Sequence, residues 1–79
     1  MAQIRSISVG TQSVRRHPTS VDCFYSEVVD SDGKLLHLST FGSDARQSPA
    51  KSSQSIQIDE AIAGQLLQVI LQTFPSLNR

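Results

Sequence analysis

The chain has 79 residues, 38% of them apolar and 18% charged, with seven basic side chains balanced by seven acidic ones. That length makes room for one small domain with a shallow core, and zero net charge excludes a protein that coats nucleic acid with its whole surface. The charges are unevenly placed: residues 1–20 hold Arg5, Arg15 and Arg16 and no carboxylate, so a basic N-terminal part precedes a mildly acidic remainder.

The single Cys23 excludes an internal disulfide and fits a reducing, cytoplasmic setting. Gln65, Gln68 and Gln72 interrupt the one rich apolar stretch, and Gln3, Arg5, Ser6 and Ser8 break up the N-terminus. Neither a membrane span nor an export signal is expected.

From Ile4 to Val9, Ile7 and Val9 alternate with Ser6 and Ser8, the period of a half-buried strand. Gly10 to Ser20 is polar, punctuated by Gly10 and Pro18, and reads as a long arm carrying Arg15, Arg16 and His17. A second strand is expected over Val21–Val29 and a third over Leu35–Phe41, joined through DSDGK. Two registers compete for this hairpin. An Asp32-Gly33 loop sets Val28 opposite His37 and pairs apolar with polar side chains. A Ser31-Asp32-Gly33 loop, with Gly33 left-handed, sets Val28 opposite Leu36 and Ser26 opposite Leu38. The second register gathers Phe24, Val28, Leu36 and Leu38 on one face and is preferred. The other face then carries Cys23, Tyr25, Glu27, Leu35, His37, Ser39 and Phe41, because a one-residue slip exchanges the faces.

Residues 42–53 form a long Gly, Ser, Asp and Pro loop holding Arg46 and Lys51, of the kind that is usually functional or disordered. Gln54–Ile58 alternates Ile56 and Ile58 with polar residues, as a fourth strand does. Asp59 is a good N-cap, Glu60 suits the positive first turn, and Pro75 ends the helix near Thr73 or Phe74. The apolar positions Ile62, Ala63, Leu66, Leu67, Val69, Ile70, Leu71 and Phe74 cover well over the stripe of about 100° that one sheet buries. A partner is therefore expected on this helix. The expected fold is α+β: a four-stranded antiparallel β-meander followed by one C-terminal helix, homodimeric through Leu67, Ile70, Leu71 and Phe74. It forms a single domain over 1–79, with the first strand and arm in 1–20, strands two to four in 21–58 and the helix in 59–74.

The stretch AKSSQSIQIDEAIAGQLLQVI, Ala50 to Ile70, places a lysine before a short strand of alternating isoleucines, an acidic helix start and paired leucines. With the meander before it, over about residues 21–74, this pattern resembles the positive cofactor four family of transcriptional coactivators and its bacterial and phage relatives. The resemblance implies a homodimer that binds single-stranded DNA through exposed sheet faces, with aromatic and basic residues from strands and loops. By the same likeness Lys51 matches the basic residue ahead of the fourth strand, and Phe41 the aromatic end of the third. The chain departs from the family in its neutral charge, its lack of tryptophan and Asp44 in the basic loop.

Single-strand binding needs flat side chains for base stacking and a cationic track for phosphates. Tyr25, His37 and Phe41 are the expected platform, and Arg15, Arg16, Arg46 and Lys51 the expected track. The bland alternatives are aromatics packed under the loops and a solvated Arg15-Arg16 pair. Cys23, His17 and His37 lack a surrounding catalytic motif, and no zinc-ligand spacing occurs. No enzyme activity, metal or other cofactor is expected. The expected partners are single-stranded DNA or RNA and a second copy of the chain. The competing reading is a protein interaction or dimerisation module.

Overall fold

The computed structural model describes residues 2–41 and 52–78. Four strands, β1 (Ala2–Gln3), β2 (Cys23–Asp30), β3 (Gly33–Phe41) and β4 (Ser52–Ile58), form one sheet, followed by helix α1 (Glu60–Thr73) and a 3-10 turn over Pro75–Leu77. The class is α+β as expected, but the sheet is mixed. Its order is β1-β4-β3-β2, with β1 parallel to β4 and the other two pairings antiparallel. A pure meander is thereby corrected. The reason lies in the chain before β2: residues 4–22 exceed the dozen or so residues that a connection between parallel strands requires, so β1 reaches the far edge of the sheet.

The strand expected over Ile4–Val9 does not form. Beyond Gln3 the pairing continues only as far as a bond from Ile4 N to Gln57 O (2.9 Å), and residues 4–10 are irregular. Val9 is 94% exposed. Alternation makes a strand only where a neighbour supplies backbone partners and a surface to bury against.

The β2–β3 hairpin has neither of the two registers weighed from sequence. Its loop is Ser31–Asp32, Asp30 pairs with Gly33, and Val28 lies opposite Leu35. The Asp30 carboxylate accepts a bond from the Asp32 backbone N–H (2.9 Å), holding the turn. Gly33, at φ 127°, is the first residue of β3, in a conformation that L side chains rarely adopt. Closing one residue earlier reverses β2 relative to β3. Hydrophobic matching could not prevent this, because both faces of β2 and β3 carry apolar groups.

One face consists of transverse rows: Glu27–Leu36–Ile58, Tyr25–Leu38–Ile56 and Cys23–Thr40–Gln54. The start of α1 approaches the first row, where Ile58 is buried, Leu36 half-buried and Glu27 exposed, with a cleft of about 290 Å3 between these residues and Glu60 and Ala63 of the helix. Ile58 and Ile62 are the buried apolar residues among those described. The helix starts where expected: Asp59 Oδ1 accepts from Ile62 N (2.9 Å), satisfying one of the donors that a helix start leaves unpaired. It ends at Thr73, with Phe74 N bonded to Ile70 O (2.8 Å) ahead of Pro75.

Beyond its first turns the helix leaves the sheet uncovered. Leu67, Val69 and Phe74 are exposed, and Leu66, Ile70 and Leu71 are half-buried. The radius of gyration is 15.0 Å, against about 12 Å for a compact chain of this length.

Candidate nucleic-acid interface

The face turned away from α1 is built from the alternate residues: Phe24, Ser26 and Val28 of β2, Leu35, His37, Ser39 and Phe41 of β3, and Ser55 and Gln57 of β4. Its one ionisable group besides His37, among the described strand residues, is Asp30 beside the turn. At one end, the Phe24 and Phe41 rings meet with centroids 4.9 Å apart and planes tilted by 52°. This diagonal contact across neighbouring strands is one that aromatic side chains are long enough to make. Phe24 remains 60% exposed despite it. A register shift between Thr40 and Phe41 marks the place where β3 bends against β4, and such irregularities re-aim a side chain at a sheet's rim.

His37 sits in the middle of the face, half-buried, directly between Ser26 and Gln57. The Gln57 amide nitrogen lies 3.0 Å from His37 Nδ1. With the amide donating, Nδ1 accepts and the ring proton belongs on Nε2. The result is a shallow surface with two phenyl rings, an oriented imidazole and a surround of hydroxyls and an amide. Side chains of these types can stack on bases and bond to their edges.

Two of the three expected platform residues, His37 and Phe41, share this face. The third, Tyr25, does not: it lies on the helix side, opposite Leu38, and is 75% exposed there. Phe24 stands in its place. Sequence reasoning missed it because the preferred register assigned it to the core. Arg15 and Arg16 belong to the exposed arm before β2. Arg46 and Lys51 lie outside the described residues.

Cys23 and His37, weighed above as a thiol and base, are on opposite faces of the sheet. Among the described residues no group of three or more His, Cys, Asp or Glu side chains is gathered as a metal site, and no helix is long and apolar enough to cross a membrane. A cleft of about 820 Å3 between Gln3–Ser6 and the start of α1 is lined by Arg5, Asp59 and Gln65 besides apolar and small residues. Ser6 lines it too, and Asp59 Oδ1 is already engaged there by Ile62 N as the helix cap. Compared with known protein families, with curated proteins and with solved structures, the chain matches none of them.

Proposed function

We propose that the chain is a non-enzymatic, single-stranded nucleic-acid-binding module that works as a homodimer, in the manner of an accessory protein of transcription or DNA processing. The observation that carries this reading is the Phe24–Phe41 pair, Phe24 exposed and Phe41 half-buried, beside His37 on a sheet face almost free of charge. An exposed phenyl ring such as that of Phe24 is costly in water on a small domain, and a stacked base recovers about 1–3 kcal/mol. The arm supplies phosphate contacts through Arg15 and Arg16, with Arg46 and Lys51 as further cations of the chain. Little sequence preference follows, because stacking accepts every base.

The test is a fluorescence titration with a labelled oligothymidylate at several salt concentrations. Replacing Phe24 by Ala weakens binding about 5- to 150-fold, the range that one lost stack predicts. A double Arg15→Ala, Arg16→Ala variant flattens the plot of log affinity against log salt by about 0.7 for each phosphate contact removed. Gln68→Ala, on the helix, leaves both quantities unchanged. Absence of binding by the unaltered chain at low salt overturns the reading. It would favour the protein interaction module, for which the zero net charge already speaks.

A further inference from the structure

In the sheet order β1-β4-β3-β2, strand β2 has no neighbour on its outer side among the described residues. Phe41 N donates to Asp22 O (3.2 Å), in line with the β2–β3 register. Bonded pairs alternate along an antiparallel ladder, so Phe24, Ser26, Val28 and Asp30 turn their backbone groups inward to β3. Cys23, Tyr25, Glu27 and Val29 turn theirs outward. The pairing runs without a shift from Cys23 to Asp30, and the strand holds no lysine or proline, so the devices that commonly blunt such an edge are missing. Asp22, Glu27 and Asp30 make the edge acidic, with no lysine or arginine among residues 21–30.

The arm before β2 is complementary to it. Every residue from Ser8 to Asp22 is exposed, Val14 at 80%, and Gly10 to Ser20 carries Arg15 and Arg16 without a carboxylate. We infer that residues 13–19 of this arm add as an antiparallel strand to the β2 edge of a second copy of the chain, whose own arm adds reciprocally to the first. With Arg15 set opposite Glu27, Val14 falls opposite Val28, His17 opposite Tyr25 and Pro18 opposite Phe24. Pro18, which has no N–H to give, thereby meets a residue whose backbone is already turned to β3. A slip of one residue either way sets it against Cys23 or Tyr25, where a donor is needed, and a slip of two separates Arg15 from Glu27. Arg16 then stands beside Ser26 on the face of Phe24 and His37, since directly opposed residues share a side of the sheet.

Charge and backbone geometry choose a second copy over the same chain. On its own β2 this register closes through Ser20-Val21-Asp22, and a three-residue loop takes a left-handed residue. Among the described residues the one positive φ is at Gly33, and Asp22 instead continues the ladder with β3. From Thr19 to Cys23 the extended chain reaches about 13 Å, enough to cross to a neighbouring edge. Exchange of one element about a two-fold axis is a low-cost route to a dimer. The inference rests on the homodimeric reading above and deepens it, because the exchanged arm brings Arg16 to a face that has no lysine or arginine among its described strand residues.

The experiment uses the full chain. Sedimentation equilibrium of the unaltered protein is expected to give twice the chain mass. Glu27→Arg and Arg15→Glu, each checked for folding by circular dichroism, should each weaken the dimer about tenfold, since both set like charges opposite one another. Mixing the two variants should restore it, because opposite charges then meet at both contacts. Ser13→Cys and Val29→Cys, each with Cys23→Ser, are next made separately, mixed and oxidised. A bonded pair with Cα atoms about 5.5 Å apart fits a disulfide, so a mixed link is expected, and it should vanish when Gln68→Cys, on the helix, replaces Val29→Cys. A dimer without that link overturns the arm exchange and leaves the homodimeric reading intact. A monomer overturns both, and with both cysteines in one chain an internal link in that monomer assigns the arm to its own β2. Oligonucleotide binding, titrated in parallel, reports on the Phe24 face and fails independently.

Discussion

Both faces of the sheet carry apolar side chains, but of different kinds. On the helix side the central side chains are aliphatic, Leu36, Leu38, Ile56 and Ile58, and one end of that face is sealed by Ile62. On the other side the apolar groups are Phe24 and Phe41 with Val28 and Leu35, set among Ser26, Ser39, Ser55, Gln57 and His37. Branched aliphatic groups fill space and exclude water, as a core demands. Flat rings beside hydroxyls and an imidazole leave a surface that stays wet until a planar partner covers it. The comparison teaches that exposure of apolar groups is not one phenomenon in this molecule: one face is aliphatic and sealed at one end by the helix start, the other is open and mixes rings with polar groups.

The comparison breaks most visibly at Ile58. Its loss as Ile58→Ala should destabilise the fold by about 2–5 kcal/mol, seen as an earlier urea midpoint. An unchanged midpoint would mean that the helix side is not the core. Gly33→Ala tests the device that assigns residues to faces. A Cβ at φ 127° has open space around it but a strained backbone, and a cost of about 1–3 kcal/mol is expected. If the variant instead relaxes into another register, the Phe24 and Phe41 ring resonances lose their mutual shifts in NMR. The smallest effect belongs to Asp59→Ala, which removes the bond to Ile62 N and should cost about 1 kcal/mol, measured by thermal unfolding. A null result there would show that Ile62 packing alone holds the helix start.

Much of this architecture was legible beforehand. Asp59 as N-cap, the helix end before Pro75 and the alternation along β3 and β4 all stand in the structure, whereas the hairpin closes at Ser31–Asp32 in a register that neither expected loop gives. His37 and Phe41 were rightly placed together, and Tyr25 was not. The candidate face was therefore half readable: His37 and Phe41 share it, and Phe24 stands where Tyr25 was expected. The alternation of Ile7 and Val9 was the clearest false signal, since no strand lies beside them.

By itself the amino-acid order determined the elements whose causes are local: a cap and a proline bound the helix within a few residues, and a glycine marks the turn. The tertiary structure alone decided what depends on distant partners, namely that β1 runs parallel to β4 and that β2 presents Phe24 beside Phe41. The reason is that strand partners are chosen across long loops. A period-two pattern distinguishes one face from the other only when just one of them is apolar, and in β2 and β3 both are.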